Sequence, residues 1–391
     1  MCTDMENFEI DSSFPGGNIH VERIENENVF LHQELRDTGR DWFYWCFRIR
    51  GAAGKTLRFN FTRSHAIGVR GPALSTDEGV TWKWLGEDCV DGNSFICAFP
   101  ENADTARLSF AMPYQESRWR RFMEKAGEHP QVRKETLCVT RKGRETEYLV
   151  LECSGGEPKH RAALACRHHC CEMMASYVLE GFIEWFMESE HAEWMRKKTA
   201  LFIAPFADKD GVEDGDQGKG RKPRDHGRDY LGTSIYPATD MIRRILPEWG
   251  GDILRLCLDL HCPHISGPHN ECIYMVGASN KSDAAEQVQF SRIMESVSEG
   301  PLPFYANNYL PYGQAWNNGS NSAGGKGFSR WSRELPSVRL GGGIEAPYAN
   351  ADGAEVNQET ARLFGADLGK GITEYLRAIP ETSSPRNQQN P

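Results

Sequence analysis

The stretch ACRHHCCE, residues 165–172, places two histidines, three cysteines and a glutamate within eight positions. The apolar run AALAC (162–166) leads into it and predicts a strand, while the apolar residues that follow predict a helix over 171–188. Open α/β sheets bind their ligands at the carboxyl ends of strands. The sequence therefore predicts an α/β sheet with a ligand site at this strand end.

His169 and Glu172 are three positions apart, so both side chains can turn toward one point at the start of a helix. Two histidines and a glutamate are a known ligand set for a catalytic zinc, which keeps a fourth position open. The competing interpretations are a zinc or redox site built on Cys166, Cys170 and Cys171, and a histidine pair that caps a packed helix. The cysteine sites are the weaker ones, because the chain has no CxxC pair and adjacent thiols point in different directions on a helix.

A third ligand must come from a distant segment, and the run LCLDLHCPHI (256–265) offers one. It reads as an apolar strand that ends in histidine, so His261 lies at a strand end as the earlier histidine does. His264 and His269 in the following loop are rival ligands, but loops hold a metal less rigidly than strand ends. Alternation puts Asp259 on the side of His261, where its carboxylate can orient the imidazole.

The composition is that of a globular protein, with 39% hydrophobic and 26% charged residues, and 391 residues favour two domains. The acidic N-terminus does not resemble a secretory signal and no run of about 18 apolar residues occurs, so we expect a cytoplasmic protein that does not enter membranes. Most of the 12 cysteines should then be free, buried thiols. The formal charge of −10 argues against a general nucleic-acid binder, because phosphate contacts need a basic field.

Short strands separated by Gly- and Asp-rich turns predict a small antiparallel β-sandwich domain over 1–115. From 116 onward strands and helices alternate, which predicts an α/β domain over 116–380, and the polar residues 381–391 are expected to form a mobile tail. The predicted strands are 41–50, 56–62, 95–99 and 106–112 in the first domain, and 136–141, 147–153, 162–166, 201–206 and 254–260 in the second. Further helices are predicted near 238–246, 284–298 and 357–377.

HxxE after a strand, DLH about ninety residues later and a glutamate within GGGIEAPYAN (341–350) together resemble the zinc metallocarboxypeptidases. The stretch RDTGRDWFYWCFRI (36–49), with TLRFNF and MPY later, is similar to the extra N-terminal β-sandwich of the cytosolic carboxypeptidase branch. This resemblance covers nearly the whole chain. It implies a mixed-sheet carboxypeptidase-like α/β/α domain behind the sandwich, one zinc ion per chain, and the C-terminus of a peptide or protein as substrate.

Residue by residue, the resemblance assigns zinc to His169, Glu172 and His261 and the role of general base to Glu345. The segment FADKDGVEDGDQGKGRKPRDHGRDY (206–230) corresponds to the family segment that supplies two arginines. There the resemblance implies that Arg221 polarises the scissile carbonyl and that Arg228 grips the terminal carboxylate of the substrate.

The sequence departs from the family pattern at two places. DKDG (208–211) stands where the family has NPDG, which changes a turn more than a chemical group. Gly227 stands where the family has an asparagine, so one hydrogen-bond donor to the terminal carboxylate is missing. For the tyrosine that caps the substrate, the sequence offers several candidates, among them Tyr305, Tyr309 and Tyr312.

The function expected from the resemblance is removal of C-terminal residues by a zinc carboxypeptidase. Lys326, Arg330 and Arg333 precede the proposed base, and a basic pocket would favour acidic C-terminal residues, with surface charge as the plain alternative. Gly227 favours a second hypothesis, a zinc amidohydrolase that acts on N-acyl amino acids or another small amide. A non-catalytic peptide-binding module is the third, and it gives no reason to keep three ligands, a base and two arginines.

Overall fold

The structure is a computed structural model that describes residues 8–322 and 324–379. The predicted mobile tail over 381–391 lies outside these residues. Among the helices of the two described ranges, none is long and apolar enough to cross a membrane.

The first part of the chain folds into two five-stranded sheets that pack face to face. Aromatic rings fill the layer between them, with centroids 5.4 Å apart for Phe47 and Phe59 and 5.9 Å apart for Trp45 and Phe95. The strands are β1 (Glu9–Asp11), β2 (His20–Glu25), β3 (Asn28–His32), β4 (Cys46–Arg50), β5 (Thr56–Phe61), β6 (Ala73–Ser75), β7 (Lys83–Trp84), β8 (Val90–Asp91), β9 (Ser94–Ala98) and β10 (Thr105–Ser109).

One sheet has the order β1-β4-β10-β6-β7 and the other the order β2-β3-β5-β9-β8. The predicted antiparallel sandwich is confirmed, with the exception that β3 and β5 pair in parallel. The chain crosses to the other sheet to form β4 between these two strands, which allows them to run in the same direction.

The second part contains a seven-stranded mixed sheet, a two-stranded ribbon and nine described helices. Its strands are β11 (Val132–Val139), β12 (Glu145–Leu151), β13 (His160–Cys166), β14 (Thr199–Ala204), β15 (Leu254–His261), β16 (Tyr274–Val276), β17 (Leu340–Glu345), β18 (Asn350–Ala351) and β19 (Ala354–Glu355). Its helices are α1 (Glu116–Ala126), α2 (Met173–Glu188), α3 (Glu193–Lys198), α4 (Lys209–Asp214), α5 (Pro237–Gly250), α6 (Lys281–Val297), α7 (Gly319–Ser322), α8 (Phe328–Ser332) and α9 (Gln358–Arg377).

The large sheet has the order β11-β12-β14-β13-β15-β17-β16, with parallel pairing among the four strands β14, β13, β15 and β17. Side chains alternate between its faces. Ala162 and Leu164 of β13 belong to the core beneath α2 and α9, whereas Ala163 and Ala165 belong to the core beneath α5 and α8. The α/β/α layering expected for this part is therefore present.

Helix α2 is apolar on nearly all sides because it lies between the sheet and α9. The two helices approach closely at two glycines. A Cβ at Gly181 would lie 2.0 Å from the Arg362 carbonyl oxygen, and one at Gly365 would lie 2.1 Å from the Val178 carbonyl oxygen. Both positions must therefore lack a side chain for α9 to pack against α2.

The two parts of the chain share one continuous hydrophobic core. Phe43 and Phe110, from the N-terminal part, contact the ring of Tyr348 with centroids 5.6 and 5.0 Å away. The expected boundary after residue 115 falls between the end of β10 and the start of α1. The division into two domains stays a prediction, since the core does not divide there.

The four predicted helices are confirmed as α2, α5, α6 and α9, and the predicted strands of the second part are confirmed as β11 to β15. The prediction of a strand over 41–50 was wrong in its first half, because the strand begins at Cys46. The cysteines that the structure describes are free thiols, as expected, and most of them are buried.

Candidate metal centre

A sharp turn follows β13 and presents the two histidines of the opening stretch. Arg167 has a left-handed backbone with φ of 61°, an uncommon conformation for a residue with a side chain. Its buried guanidinium donates to the Cys170 and Tyr114 carbonyl oxygens and to the Ser176 hydroxyl. These hydrogen bonds hold the turn in place and fix the direction in which the next two residues leave the strand.

His169, Glu172 and His261 come together at the carboxyl ends of β13 and β15. The Glu172 carboxylate lies between the two imidazoles, with Oε1 2.9 Å from His169 Nδ1 and Oε2 2.7 Å from His261 Nδ1. One ligand atom from each residue lies within 4.8 Å of the others. Nitrogen and carboxylate oxygen are the donors that zinc accepts, so these residues fit a zinc ion.

The outer nitrogen of each imidazole, Nε2, which points away from Glu172, faces a carboxylate. His261 Nε2 lies 2.7 Å from Asp259 Oδ2, and His169 Nε2 lies 3.7 Å from Asp225 Oδ1. An outer N–H directed at a carboxylate leaves Nδ1 with a free lone pair for a metal. Burial opposes ionisation of Asp259, but the neighbouring His168 and His261 hold its pKa below the ordinary value.

His168 lies beside this centre in a separate hydrogen-bonded chain. Its Nδ1 is 2.7 Å from Asp259 Oδ1, and its Nε2 is 2.7 Å from the Tyr230 hydroxyl. His168, Asp259 and His261 could also hold a metal by distance alone. Because His168 is fully buried and bridges Asp259 and Tyr230, we interpret this group as a support for His261.

The rival ligands lie elsewhere. His264 is exposed and packs against the ring of Phe43 with centroids 4.9 Å apart, and His269 is exposed in the same loop. The three thiols of the opening stretch face three different partners: the Ser176 hydroxyl for Cys166, the Asp216 carbonyl oxygen for Cys170 and the Tyr348 hydroxyl for Cys171.

Glu345 ends β17 and lies opposite His261 in the register of the parallel pair β15/β17. Its Oε2 is buried without a hydrogen-bond partner among the described residues. Burial raises the pKa of this carboxyl, and the charges of His261 and Lys219 oppose that rise. A buried carboxylate oxygen beside a candidate metal centre is the arrangement that a general base requires.

The two arginines expected in the site have different surroundings. Arg221 forms ion pairs through Nε with Asp37 at 3.0 Å, through Nη1 with Asp208 at 2.9 Å and through Nη2 with Asp216 at 3.1 Å. Arg228 is partly exposed, and its guanidinium donates to the carbonyl oxygens of Gly227 and Asn321 at 3.1 and 3.2 Å.

Gly227, the departure from the family pattern, packs behind the first histidine. A Cβ at this position would lie 2.7 Å from His169 Nε2. The missing side chain therefore has a local cause, because any side chain here would push against the imidazole.

Sequence reasoning missed Lys219, whose ammonium reaches the cluster. Its Nζ lies 2.7 Å from Glu172 Oε1 and 3.2 Å from the Cys262 carbonyl oxygen. Burial alone would raise the pKa of Glu172, but Lys219 and the two histidines hold it well below the ordinary value. The only signal in the sequence was a lysine between two glycines, within a loop whose charges looked solvated.

Comparison with known proteins gives distant sequence relatives and similar folds. No protein-family model matches the chain. An uncharacterised protein of Zymomonas mobilis is 26% identical over 52% of this chain, and cytosolic carboxypeptidase 2 of Danio rerio and of Homo sapiens are each 23% identical over 63% and 70% of it. The chain spans 54% of the Zymomonas protein and 39% of the Danio protein.

Two solved structures share the fold over nearly the whole chain. The match to a metallo-carboxypeptidase from Burkholderia cenocepacia covers 95% of this chain and 99% of that protein's chain, with a TM-score of 0.77 and 20% sequence identity. The match to a metallo-carboxypeptidase from Pseudomonas aeruginosa, in complex with (2-guanidinoethylmercapto)succinic acid, covers 94% of this chain and 99% of that protein's chain. The TM-score is 0.73 and the sequence identity 18%. The chain therefore has the fold of these metallo-carboxypeptidases, and its distant sequence matches include cytosolic carboxypeptidases.

Proposed function

We propose that the protein is a zinc-dependent carboxypeptidase that hydrolyses the C-terminal peptide bond of peptides or proteins. The observation that carries this proposal is the convergence of His169, Glu172 and His261 within 4.8 Å, next to the buried acid Glu345 on the neighbouring strand. The fold shared with metallo-carboxypeptidases and the distant matches to cytosolic carboxypeptidases support the same reaction class.

His169 and His261 through Nδ1, and Glu172 through its carboxylate, would hold one zinc ion. When bound, zinc makes a water molecule more acidic and withdraws electrons from a carbonyl. Asp259 keeps His261 in the tautomer that can bind it, and Asp225 lies 3.7 Å from His169 Nε2.

Glu345 moves the protons of the reaction. Its free Oε2 accepts a proton from the attacking water, and the protonated carboxyl then donates a proton to the leaving amine. Burial makes Glu345 a stronger base than an exposed glutamate, since its pKa is raised.

Arg228 is proposed to bind the terminal carboxylate of the substrate, because a guanidinium pairs with a carboxylate at two points. Its partial exposure leaves room for such a contact. The role expected for Arg221 beside the scissile carbonyl has less support, since all three of its ion-pair partners lie outside the His-Glu-His cluster.

A preference for acidic C-terminal residues stays a prediction. Lys326 pairs with Glu334 at 2.6 Å, and Arg333 Nε lies 3.4 Å from Asp283. These pairs reduce the positive charge that a terminal glutamate would meet, whereas Arg330 is exposed. Peptides that differ only in the last residue, with products read by mass spectrometry, measure the preference directly.

A second candidate function, hydrolysis of N-acyl amino acids or another small amide, is favoured by Gly227, which offers no side-chain donor to a terminal carboxylate. Rates on a series of substrates from an N-acyl amino acid to longer peptides separate the two functions. A carboxypeptidase gains in kcat/KM as the peptide lengthens, while a small-amide hydrolase does not.

We propose a cytoplasmic location, which the distant matches to proteins named cytosolic carboxypeptidases support.

The proposed function is tested by Glu345→Gln together with removal of zinc. We expect the variant to keep one zinc ion per chain and to lose about 10²- to 10⁴-fold in kcat, because the carboxamide accepts no proton. A chelator should abolish wild-type activity and added zinc should restore it. Glu248→Gln, at an exposed position of α5, is the control that should retain full activity. Full activity of the Glu345 variant would remove this residue from the mechanism.

A further inference from the structure

Lys219 occupies a protected position at the edge of the candidate metal centre. Its side chain is 13% exposed, and its Nζ contacts Glu172 Oε1 at 2.7 Å and the Cys262 carbonyl oxygen at 3.2 Å. The ring of Trp42 lies below the ammonium, with Nζ 5.2 Å from the ring centroid. A charged side chain in such a place interacts strongly with nearby charge, because little water screens it.

Backbone hydrogen bonds hold the residues on both sides of Lys219 in place. Gly218 N donates to Asp37 Oδ2 at 2.8 Å, and Gly220 N donates to Asp225 Oδ2 at 2.9 Å. Gly218 has a φ of 76°, and a Cβ there would lie 2.5 Å from the Cys170 backbone nitrogen. The ammonium is therefore held in position before any substrate arrives, which is the condition under which a charge contributes most to catalysis.

Arg221, by contrast, is held in place by three carboxylates. Each of its three guanidinium nitrogens pairs with a different carboxylate, and its side chain is 14% exposed. Moving the guanidinium toward the metal centre would leave Asp37, Asp208 and Asp216 without their common cation, and separating partly buried ion pairs is costly.

We propose that Lys219, and not Arg221, is the cation that stabilises the negative charge on the scissile carbonyl oxygen, while Arg221 positions the segment that carries it. This inference rests on the proposed carboxypeptidase function. An ammonium has three N–H donors, so two can remain on Glu172 and the Cys262 carbonyl while the third donates to the substrate oxygen. No bond to Lys219 forms or breaks, and its contribution is electrostatic.

The inference is tested with Lys219→Met and Lys219→Gln, measured against wild-type protein loaded with zinc. The readouts are zinc content, thermal unfolding, kcat and KM on a cleaved peptide, and the Kd of a peptide phosphonate, whose tetrahedral group carries negative charge at the position of the carbonyl. Lys134→Met, at an exposed lysine of β11, removes the same charge far from this contact and serves as the matched control.

We expect both Lys219 variants to fold and retain zinc, with kcat lower by about 10²- to 10³-fold and KM changed only a few-fold. Phosphonate affinity should fall by a similar factor, while the affinity for the free C-terminal amino acid product stays within a few-fold. Arg221→Gln should lower the unfolding temperature and retain most of the preference for phosphonate over product.

Three results would overturn the inference alone: Lys219 variants that keep phosphonate affinity, variants that lose their zinc, and failure of both variants to fold. The last two would make Lys219 a support of Glu172 or of the folded chain. Zinc-loaded wild-type protein that cleaves none of the peptides would contradict the proposed function and, with it, this inference.

Discussion

The two imidazoles of the candidate metal centre are held by residues behind them. Asp259 holds the outer nitrogen of His261 at 2.7 Å, and Asp259 is itself held by His168. His169 has a looser carboxylate partner, Asp225 at 3.7 Å, and Gly227 packs against its ring. His169 is therefore the ligand whose position is most sensitive to a small change.

Gly227→Ala tests this sensitivity. The added methyl group would lie 2.7 Å from His169 Nε2, so the imidazole must move away. We expect zinc affinity to fall by about 10- to 100-fold, the usual effect of disturbing the residues that orient a metal ligand. Competition with a chromophoric chelator measures the change. Gly39→Ala is the control, since a Cβ there meets nothing within 4 Å, and equal affinities of the two variants would contradict the prediction.

Asp216 gives a pH dependence that does not involve the metal centre. Burial and the neighbouring Asp37 raise its pKa to about 6, although Arg221 opposes the rise. Between about pH 4 and pH 6 the folded protein then binds more protons than the unfolded chain, and this residue lowers stability as the pH rises.

Asp216→Asn removes this titration. Relative to wild type, the unfolding free energy of the variant should increase by about 2 kcal/mol from pH 4 to pH 7, as measured by urea unfolding. Asp252→Asn, at an exposed aspartate, should show no such trend. A constant difference between the Asp216 variant and wild type across this range would contradict the raised pKa.

At the scale of helices and strands, the sequence predicted most elements that have a clear hydrophobic period. The run DWFYWCFRIR was the exception, because its aromatic residues serve two different contacts. Tyr44 exchanges backbone hydrogen bonds with the Gln217 side chain at 2.8 and 2.9 Å, and Phe43 packs on Tyr348. Contacts with distant loops leave no periodic pattern in the local sequence. The aromatic residues before Cys46 were therefore mistaken for part of the strand.

The same contrast, between local sequence patterns and contacts with distant residues, explains which residues of the site could be predicted. His169, Glu172, His261 and Glu345 lie at strand ends or one turn beyond them, and their spacing along the chain is readable. Lys219 lies in a loop whose path is set by backbone N–H groups that donate to the Asp37 carboxylate, nearly two hundred positions earlier. No local pattern could separate it from its charged neighbours.

The close packing of α2 against α9 leads to a prediction about the unfolding free energy of the protein. Gly365→Ala would place a methyl group 2.1 Å from the Val178 carbonyl oxygen, and backbone cannot yield as a side chain can. We expect a loss of about 1 to 3 kcal/mol in unfolding free energy. Gly371→Ala on the same helix meets the flexible Met294 side chain and should cost less. Chemical denaturation compares the two, and a smaller loss at 365 than at 371 would contradict the prediction.

At the scale of the molecule, loops of the N-terminal part support the segment that reaches the candidate metal centre. Asp37 accepts from Gly218 N, Asn18 Nδ2 donates to the Gly215 carbonyl oxygen at 2.6 Å, and Trp42 lies beneath Lys219. The N-terminal part thus contributes hydrogen bonds to this segment and also shares one hydrophobic core with the second part of the chain.

Deletion of residues 1–115 should therefore destabilise the fold of residues 116–391. We expect residues 116–391 to be poorly soluble and to bind zinc weakly, because Tyr348 and its neighbours lose the aromatic rings that cover them. Zinc content and circular dichroism of the fragment measure this. A soluble fragment with full zinc content would instead show that the second part folds on its own as a separate domain.

His261 and Glu345 lie opposite each other on neighbouring parallel strands. The gap between the two strands, and with it the placement of His261 relative to Glu345, is consequently fixed by the ladder of backbone hydrogen bonds, at the ordinary interstrand spacing of about 5 Å. Loops beyond the strand ends can gain, lose or exchange residues without altering that gap. Under the proposed function, substrate choice can therefore change through these loops while His261 and Glu345 keep their relative placement.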